Sequence, residues 1–522
     1  MNPLSDPAVQ ETLKGVFRNV LPEIALLGTA CVVFLFGCFV NRRPLWFAAS
    51  LLGVVGAAVL AVTVKSAAPL VPTVAPIIPD GVADFVRWVA IVSAAVLLFV
   101  SWAEVSSKCA AEYYACLLVA AAGVSLVGRA NDLITLFLAL ELLSIPTYVL
   151  LYLPSQKKLN QEASAKYFLL SVMSSAVLLF GFSYLYGLTG TTNITAIVES
   201  LTKSNAERLS PMAMVAAVLV VAAVGFRVTA VPFHFYAPDV YEGAPAGVVA
   251  QLAFLPKVAG FVALARLLGL FAADPRQLPF DANSQLPLLL WIIAVVTMCV
   301  GNMLALLQDN VRRMLAYSSV AHGGYMLVGV VIATSLPDAK GHPGVGGIDA
   351  LLVYLVAYGA MTVGAFAVIL YLSTPEQPVE AIDDLAGLSS SHPVTAFSMG
   401  VFLFSLIGLP LTAGFAGKLL LFVGAFTAPG DSAAMRNLYQ VLAVVMAVNA
   451  AVGAYYYLRV VGVMYLRTPI RPATDSKSKP TALAALVLAI GTLFIGFYPQ
   501  PLVKAARTAA PVPTKAVAGV AP

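Results

Sequence analysis

Residues 224–261 read VGFRVTAVPFHFYAPDVYEGAPAGVVAQLAFLPKVAGF, and this stretch decides the fold of the chain. Its charged and titratable residues are, in order, Arg227, His234, Asp239, Glu242 and Lys257, and it also holds four prolines. Charge at membrane depth is costly and usually marks a functional site. Helix-breaking residues persist at that depth only where protein or a wet cavity satisfies the freed backbone groups. The stretch therefore predicts a broken, charged helix at the centre of an ion pathway.

The composition of the whole chain supports this interpretation. Of 522 residues, 60% are hydrophobic and 11% are charged, and the mean hydropathy is +0.91. A soluble protein carries about 25% charged residues, so the composition indicates an integral membrane protein. The apolar runs are each about 20 residues long, the length that a helix needs to cross the bilayer core. The net charge of +5 is too small for this length to indicate a nucleic-acid surface.

The apolar runs predict an all-α polytopic membrane protein with about 14 transmembrane helices. The predicted spans are 21–40, 45–65, 83–103, 111–129, 132–153, 162–188, 210–232, 245–271, 286–307, 312–334, 350–373, 394–428, 437–465 and 480–500. The twelfth is too long for one straight helix, and the seventh runs into the proline-rich stretch. Helices 7 and 12 are therefore predicted to be discontinuous.

Two interrupted segments indicate an internal repeat. GFRVTAVPFH at 225–234 and SLIGLPLTAGFAGK at 405–418 both place glycine and proline beside one basic residue, five spans apart. Paired interrupted helices are the best sequence indication of an inverted-repeat transporter. The predicted repeats are 111–271 (helices 4–8) and 286–465 (helices 9–13).

The remaining segments flank these repeats. A polar segment at 1–20 precedes transmembrane helices within 21–129, and a last transmembrane helix at 480–500 precedes a C-terminal tail at 501–522. Residues 1–20 are polar and mixed in charge, unlike a cleavable signal peptide. The longest polar interval, at 189–210, predicts a short surface helix.

Basic residues in the loops predict the orientation, because cytoplasmic loops are enriched in lysine and arginine. With the N-terminus outside, the inner loops carry Arg42, Arg43, Lys108, Lys157, Lys158, Arg312, Arg313, Arg467, Arg471, Lys477 and Lys479. The outer loops carry fewer: Arg129, Lys203, Arg208, Arg276, Lys340 and Arg436. Both termini are therefore predicted on the outer face.

The cysteines give no indication of a metal site. The five cysteines lie within or beside apolar runs, and no CxxC or Cys/His cluster with metal spacing occurs. The sequence predicts buried structural thiols and no metal or iron–sulfur site in this chain.

Three ionisable residues fall near the centres of predicted spans. Glu141, Lys257 and Lys418 each have long apolar stretches on both sides. Burial and neighbouring charges act on such groups in opposite directions, so their proton affinity can be tuned across neutrality. We predict that all three carry protons. The alternatives are a permanently protonated or helix-capping Glu141, and lysines that extend to a helix end.

Three further titratable residues lie within or beside the predicted spans. His322 lies mid-span beside Ser318, Ser319 and Tyr325, which suits either a proton wire or a hydrogen-bonded core histidine. Lys166 is nearer a helix end, so proton transfer and extension to the interface are both open. His234 lies at the helix break and can be structural.

Arg227 differs in kind from the lysines. A guanidinium stays protonated at any relevant pH, so it cannot pass on its own proton. We predict an electrostatic role, with Glu141 as its partner.

Several motifs resemble one known family. PFHFYAPDVYEGAP, LPKVAGF, QDNVRRMLAYSSVAHGGYML, GLPLTAGFAGK and AYYYLRVVGVMY resemble the antiporter-like membrane subunits of respiratory complex I, NADH-quinone oxidoreductase. The PDVYEGAP run is similar to the subunit N type in particular. The resemblance extends from LPEIALL at Leu21 to the last span, and the motifs together are specific.

The resemblance implies fourteen helices, two inverted five-helix repeats and a polar axis at mid-membrane. Its proton path is implied at Glu141, Lys166, Lys257, His322 and Lys418. Arg227 stands where the family usually has the lysine of helix seven, which argues against proton exchange by this residue. The family implies that this chain binds no cofactor and catalyses no redox step, since NADH, FMN, iron–sulfur clusters and quinone belong to other subunits.

The function implied is a proton-translocating membrane-arm subunit of NADH-quinone oxidoreductase, a translocase in the cell inner membrane. Its partners would be the lipid bilayer and neighbouring membrane-arm subunits such as K and M. The intramembrane charges fit two alternatives as well: a subunit of a secondary Na⁺(K⁺)/H⁺ antiporter of the Mrp type, and a structural spacer. The number of ionisable groups argues against the spacer.

Overall fold

The structure, a computed structural model, is an all-α bundle. It describes residues 14–64, 72–154, 157–203, 211–271, 285–334, 347–374, 377–428, 433–469, 475–476 and 478–510. Within these residues, 11 helices are long and apolar enough to cross a membrane, and the shorter apolar helices coincide with the predicted spans 21–40, 210–232 and 394–428. The chain is thus a multi-pass membrane protein.

Several consecutive helices are joined by short loops. In chain order they are α1 Leu21–Gly37, α2 Arg43–Thr63, α3 Gly81–Val100, α4 Ala110–Arg129, α5 Leu133–Tyr152, α6 Lys158–Thr189, α7 Ile194–Lys203, α8 Pro211–Arg227, α9 Ala237–Gly243, α10 Ala246–Phe271, α11 Gln285–Leu306, α12 Val311–Ala333, α13 Ile348–Leu372, α14 Pro393–Ile407, α15 Ala413–Thr427, α16 Ala433–Leu466, α17 Lys479–Phe497 and α18 Gln500–Ala509. A one-turn helix, Leu388–Ser391, precedes α14. Polar side chains begin several helices: Asp132 accepts hydrogen bonds from the amides of Ile134 (2.8 Å) and Thr135 (3.3 Å) at the start of α5.

The core of the bundle is formed by α10, α12 and α13, whose residues are almost all buried. Helices α1, α2, α11, α16 and α17 lie at the periphery, where each has several large apolar side chains exposed. In a membrane protein such exposed apolar side chains face lipid. The most protected positions in the molecule are therefore those on α10, α12 and α13.

The chain is interrupted at two places in the bundle. α8 ends at Arg227 and the next helix begins at Ala237; α14 ends at Ile407 and α15 begins at Ala413. Each break contains a non-glycine residue with positive φ, Thr229 at 58° and Leu411 at 70°, and the second also contains Gly408 at 89°. Left-handed backbone is unfavourable for residues with a Cβ and clusters at functional sites. Both breaks fall where the sequence predicts discontinuous helices.

Three details differ from the sequence predictions. Cys31 and Cys38 are exposed and the other cysteines are only partly buried, because α1 buries Leu26, Ala30 and Val33 and turns its opposite side outward. The tail predicted at 501–522 begins with helix α18, and its residues from 511 lie outside the described part. Arg129, assigned to a loop, is the last residue of α4 and is fully buried. The surface helix predicted within 189–210 is confirmed as α7.

Candidate functional site

The first charged group of the site is an ion pair between α5 and α8. Arg227, the last residue of α8, is 4% exposed and places Nη2 3.1 Å from Oε1 of Glu141 on α5. Its Nη1 donates to the hydroxyl of Ser144 at 2.5 Å. Ser175 on α6 accepts from Nη2 at 3.1 Å and donates to Glu141 Oε1 at 2.5 Å. Arg227 and Glu141 therefore form the contact that the sequence predicts, supported by two serines.

Lys257 on α10 lies beside the first helix break. It is 1% exposed, and its ammonium donates to Thr229 Oγ1 at 3.0 Å and to the carbonyls of Val228 (3.5 Å) and Ser319. Both Val228 and Thr229 follow the C-terminus of α8. The unpaired carbonyls at a helix C-terminus carry partial negative charge, so the break itself supplies acceptors for the lysine.

Lys418 on α15 lies beside the second break in the same manner. It is 8% exposed, and its ammonium donates to the carbonyls of Leu406 (2.7 Å) and Ile407 (2.9 Å), the last two residues of α14. Each buried lysine thus contacts at least one backbone carbonyl at the C-terminal end of a broken helix. Among the described residues, no carboxylate lies within 4.0 Å of either lysine.

His322 on α12 is fully enclosed by hydroxyl groups and aromatic rings. Its Nδ1 is 2.6 Å from the hydroxyl of Tyr354, and its Nε2 is 3.0 Å from that of Tyr457. Tyr457 also contacts the hydroxyl of Ser318. The imidazole thus exchanges hydrogen bonds with hydroxyl groups that both donate and accept, an arrangement suited to proton relay.

Lys166 lies apart from this buried group. Its side chain is 40% exposed, and its ammonium is 2.7 Å from both Glu162 and Asp239. Arg313 also contacts Asp239, at 2.9 Å, and these hydrogen-bonded cations lower the pKa of Asp239 although partial burial opposes them. Lys166, Glu162 and Asp239 line a pocket of about 160 Å³. Lys166 thus belongs to a cluster at one end of the bundle.

His234 also lies outside the buried group, in the segment between α8 and α9. Its backbone carbonyl accepts a hydrogen bond from the amide of Ala237 at 3.0 Å. Burial lowers the pKa of its imidazole, despite a backbone hydrogen bond with Pro232. His234 therefore lies within the first helix break, between Arg227 and Ala237.

Sequence reasoning missed the hydroxyl-bearing residues of the site. Tyr354, Tyr358, Tyr457, Ser144 and Ser175 all contact a charged or titratable residue, yet each lies in an ordinary apolar run. Their one sequence signal is helical spacing: Ser144 is three residues after Glu141, and Tyr354 and Tyr358 are four apart. The helices that they face could not be inferred from spacing.

A second buried ionic cluster, also missed, joins α1, α3 and α4. Glu23 accepts hydrogen bonds from Arg87 at 2.8 Å through both of its carboxylate oxygens, and from Ser125 at 2.5 Å. Arg129 contacts Glu23 at 3.8 Å and Asp84 at 2.5 Å. Since acidic and basic groups are paired here, the cluster ties the first helices to α4.

In the described part of the chain, no group of three or more histidine, cysteine or acidic residues could hold a metal ion.

Together these features define a class of protein: a polytopic membrane protein whose buried ionisable groups lie at two helix breaks, as in ion-translocating subunits. A family model described as NADH:quinone oxidoreductase/Mrp antiporter, TM, matches residues 130–447. NADH-quinone oxidoreductase subunit N of Trichlorobacter lovleyi is 37% identical over 516 residues, covering 97% of this chain and 99% of that protein. The chain belongs to the NADH-quinone oxidoreductase subunit N family.

Solved structures show the same fold. A chain of respiratory complex I from Thermus thermophilus with bound aureothin is 28% identical, with a TM-score of 0.75 over 94% of this chain and all of that one. A chain of the Mrp complex from Dietzia is 20% identical, with a TM-score of 0.77 over 94% of this chain and 96% of that one. At that identity the second likeness concerns the fold alone.

Proposed function

We propose that this chain is a proton-translocating membrane-arm subunit of NADH-quinone oxidoreductase, and that its proton path comprises Glu141, Lys166, Lys257, His322 and Lys418. The observation that carries the proposal is the placement of two buried lysines at the two helix breaks, with His322 between them. The similarity to subunit N along 97% of the chain supports the respiratory assignment.

In the architecture that we propose, fourteen membrane spans include two inverted five-helix repeats, 111–271 and 286–465. The two breaks support the repeats because each adjoins one buried lysine, Lys257 or Lys418, through backbone carbonyls. The excess of basic residues in alternate loops supports an orientation with both termini on the outer face. The inner-membrane location that we propose rests on the similarity to subunit N.

The mechanism that we propose is electrostatic. Quinone chemistry in other subunits changes the field along the membrane arm, and Glu141 then approaches or leaves Arg227. Because Arg227 keeps its charge, movement of Glu141 changes the potential felt by Lys257 at the same helix break. The change passes to Lys418 through His322, its hydroxyl neighbours and water. A shift of one pKa unit corresponds to about 1.4 kcal/mol, so several coupled groups can load and release a proton.

The chain itself is proposed to bind no cofactor and to perform no redox step. NADH, FMN, iron–sulfur clusters and quinone would be held by the rest of the complex, and the neighbouring membrane subunits would include K and M. Lys166 would act at the entrance to the path, where its exposed side chain meets Asp239.

The alternative is a subunit of an Mrp-type Na⁺(K⁺)/H⁺ antiporter, which the shared fold of the Dietzia chain permits. The purified assembly discriminates between the two. Flavin and iron–sulfur subunits that copurify with the chain support the respiratory function. An assembly of membrane subunits alone that exchanges sodium for protons without electron transfer would establish the antiporter.

The test of the proton path is pumping by the reconstituted complex with Lys418→Ala. We expect the ratio of protons pumped to electrons transferred to fall, because the variant removes a proton-carrying group of the second break. Lys504→Ala is the matched control, since Lys504 is exposed on α18, and it should leave the ratio unchanged. An unchanged ratio in Lys418→Ala would overturn the assignment.

A further inference from the structure

Each buried lysine of the site faces the ring of a buried tyrosine. The ammonium of Lys257 lies 5.4 Å from the ring centroid of Tyr358, and that of Lys418 lies 4.9 Å from the ring centroid of Tyr325. Both distances fall within the range of cation–π attraction. Tyr358 is 0% and Tyr325 1% exposed, so water does not compete at either ring.

Each ring faces its ammonium ion in the way that a carboxylate does in an ion pair. Within the described chain, the other groups that contact the two ammonium ions are neutral: carbonyls at the breaks and, for Lys257, the Thr229 hydroxyl and the carbonyl of Ser319 on α12. A buried ammonium ion without a counter-ion needs several electron-rich groups around it, because they offset the cost of removing it from water. The negative face of an aromatic ring supplies them without adding a second titratable charge.

The same two rings also lie against His322. The imidazole centroid is 5.5 Å from the ring of Tyr358 and 5.3 Å from the ring of Tyr325. Each ring therefore contacts both a buried lysine and the histidine. Three groups that repel one another when charged thus share two rings that attract cations.

Polar side chains fix both rings. The hydroxyl of Tyr358 donates to Ser319 Oγ at 2.7 Å, and the hydroxyl of Tyr325 accepts from Asn302 Nδ2 at 3.1 Å. Asn302 is itself held, because its amide contacts Asn449 at 3.1 Å and accepts from Tyr456 at 3.0 Å. Asn302 is 1% exposed, so its hydrogen bonds are protected from water.

We propose that Tyr358 and Tyr325 are the residues that hold Lys257 and Lys418 in their charged form between proton transfers, and that Ser319 and Asn302 position the two rings. The rings thus stabilise the positive charge of the lysines, as Glu141 stabilises that of Arg227. This inference rests on the proposed proton path and adds its cation-stabilising groups.

The experiment uses the whole complex in sealed vesicles and measures protons pumped per electron. The reference is the share of pumping that is lost in Lys418→Ala. Tyr325 is replaced by phenylalanine and then by phenylalanines with increasing ring fluorination, which weakens the negative face of the ring while preserving its shape. We expect Tyr325→Phe to keep at least about half of the reference share, and the share to fall stepwise with each added fluorine.

Matched substitutions at Tyr113 provide the control. Tyr113 is also fully buried, but its ring contacts Tyr114 and, among the described residues, no lysine. The fluorinated series at Tyr113 should leave pumping unchanged. A flat series at Tyr325, with pumping still lost in Lys418→Ala, overturns the ring assignment and leaves the proton path intact. Undiminished pumping in Lys418→Ala overturns the proton path and this inference together.

A double-mutant cycle tests the positioning role of Asn302. Asn302→Leu removes the donor to the Tyr325 hydroxyl, and we expect it to reduce the reference share about twofold or more. In a Tyr325→Phe background the same change should have little further effect, since the hydroxyl is already absent. Equal losses in both backgrounds would show that Asn302 acts through general packing and would overturn its assignment.

Discussion

Arg227 at the first helix break and Lys418 at the second are kept inside the bundle by different means. At the end of α8, Arg227 contacts Glu141 at 3.1 Å and two serine hydroxyls. At the end of α14, Lys418 contacts two backbone carbonyls and the face of Tyr325. The permanent charge of Arg227 is thus balanced by a carboxylate, whereas the removable charge of Lys418 is stabilised by neutral groups.

The difference follows from the chemistry of the two side chains. A guanidinium cannot lose its proton at physiological pH, so a buried arginine without a counter-ion would bear the full cost of desolvation. A lysine can discharge, so it can be kept among neutral acceptors and recharge when a proton arrives. The second arrangement suits a carrier, and the first suits a fixed electrostatic element.

The largest effect on stability is expected from Glu141→Gln. This change leaves Arg227, which is 4% exposed, without its counter-ion. Breaking a buried ion pair from one side costs about 3–5 kcal/mol. Unfolding of the purified complex in denaturant, followed for this subunit, measures the change. Stability equal to that of the unmodified protein would show that the pair is not the main support of Arg227.

A smaller loss is expected from Arg227→Lys. One ammonium can keep the contact with Glu141 but cannot also reach Ser144 and Ser175 as the forked guanidinium does. Loss of hydrogen bonds to a charged group costs about 1–3 kcal/mol. Proton pumping should persist, because the charge remains. Complete loss of pumping in this variant would mean that the shape of the guanidinium matters as well as its charge.

Lys166→Gln should destabilise the chain by less than about 1 kcal/mol, because exposed salt bridges contribute little. Lys166 is 40% exposed, although it contacts both Glu162 and Asp239. Without Lys166 the pKa of Asp239 should rise toward its ordinary value. The carboxylate would then protonate at higher pH, so the small stabilising effect would be lost earlier on acidification. Denaturation at several pH values measures the shift, and identical curves would contradict it.

The smallest effect on stability is expected from Lys418→Met, which should leave the free energy of unfolding unchanged within about 1 kcal/mol or raise it. The variant removes a buried cation that has no carboxylate partner among the described residues. Pumping should nevertheless fall as in Lys418→Ala. A destabilisation as large as that of Glu141→Gln would show that Arg227 and Lys418 do not differ in the proposed way.

Much of the architecture was predictable because a bilayer limits what a chain can do. Apolar runs of span length and the two Gly/Pro interruptions correctly located the long apolar helices and the breaks beside Arg227 and before Ala413. Charge at membrane depth identified Glu141, Lys257, His322 and Lys418 as candidates, and the Glu141–Arg227 contact followed from the need for a counter-ion. Helix periodicity could not show that Cys31 and Cys38 face outward, because all sides of α1 are apolar.

The sequence by itself determined which residues carry charge into the membrane and where the chain must break, since both are matters of composition along one helix. Only the tertiary structure decided what each charge meets. Glu141 and Arg227 are 86 residues apart, Asn302 and Asn449 are 147 apart, and Lys418 is paired with a tyrosine on another helix. Such contacts depend on which helix faces pack together, and apolar faces do not differ enough along the sequence to reveal their partners.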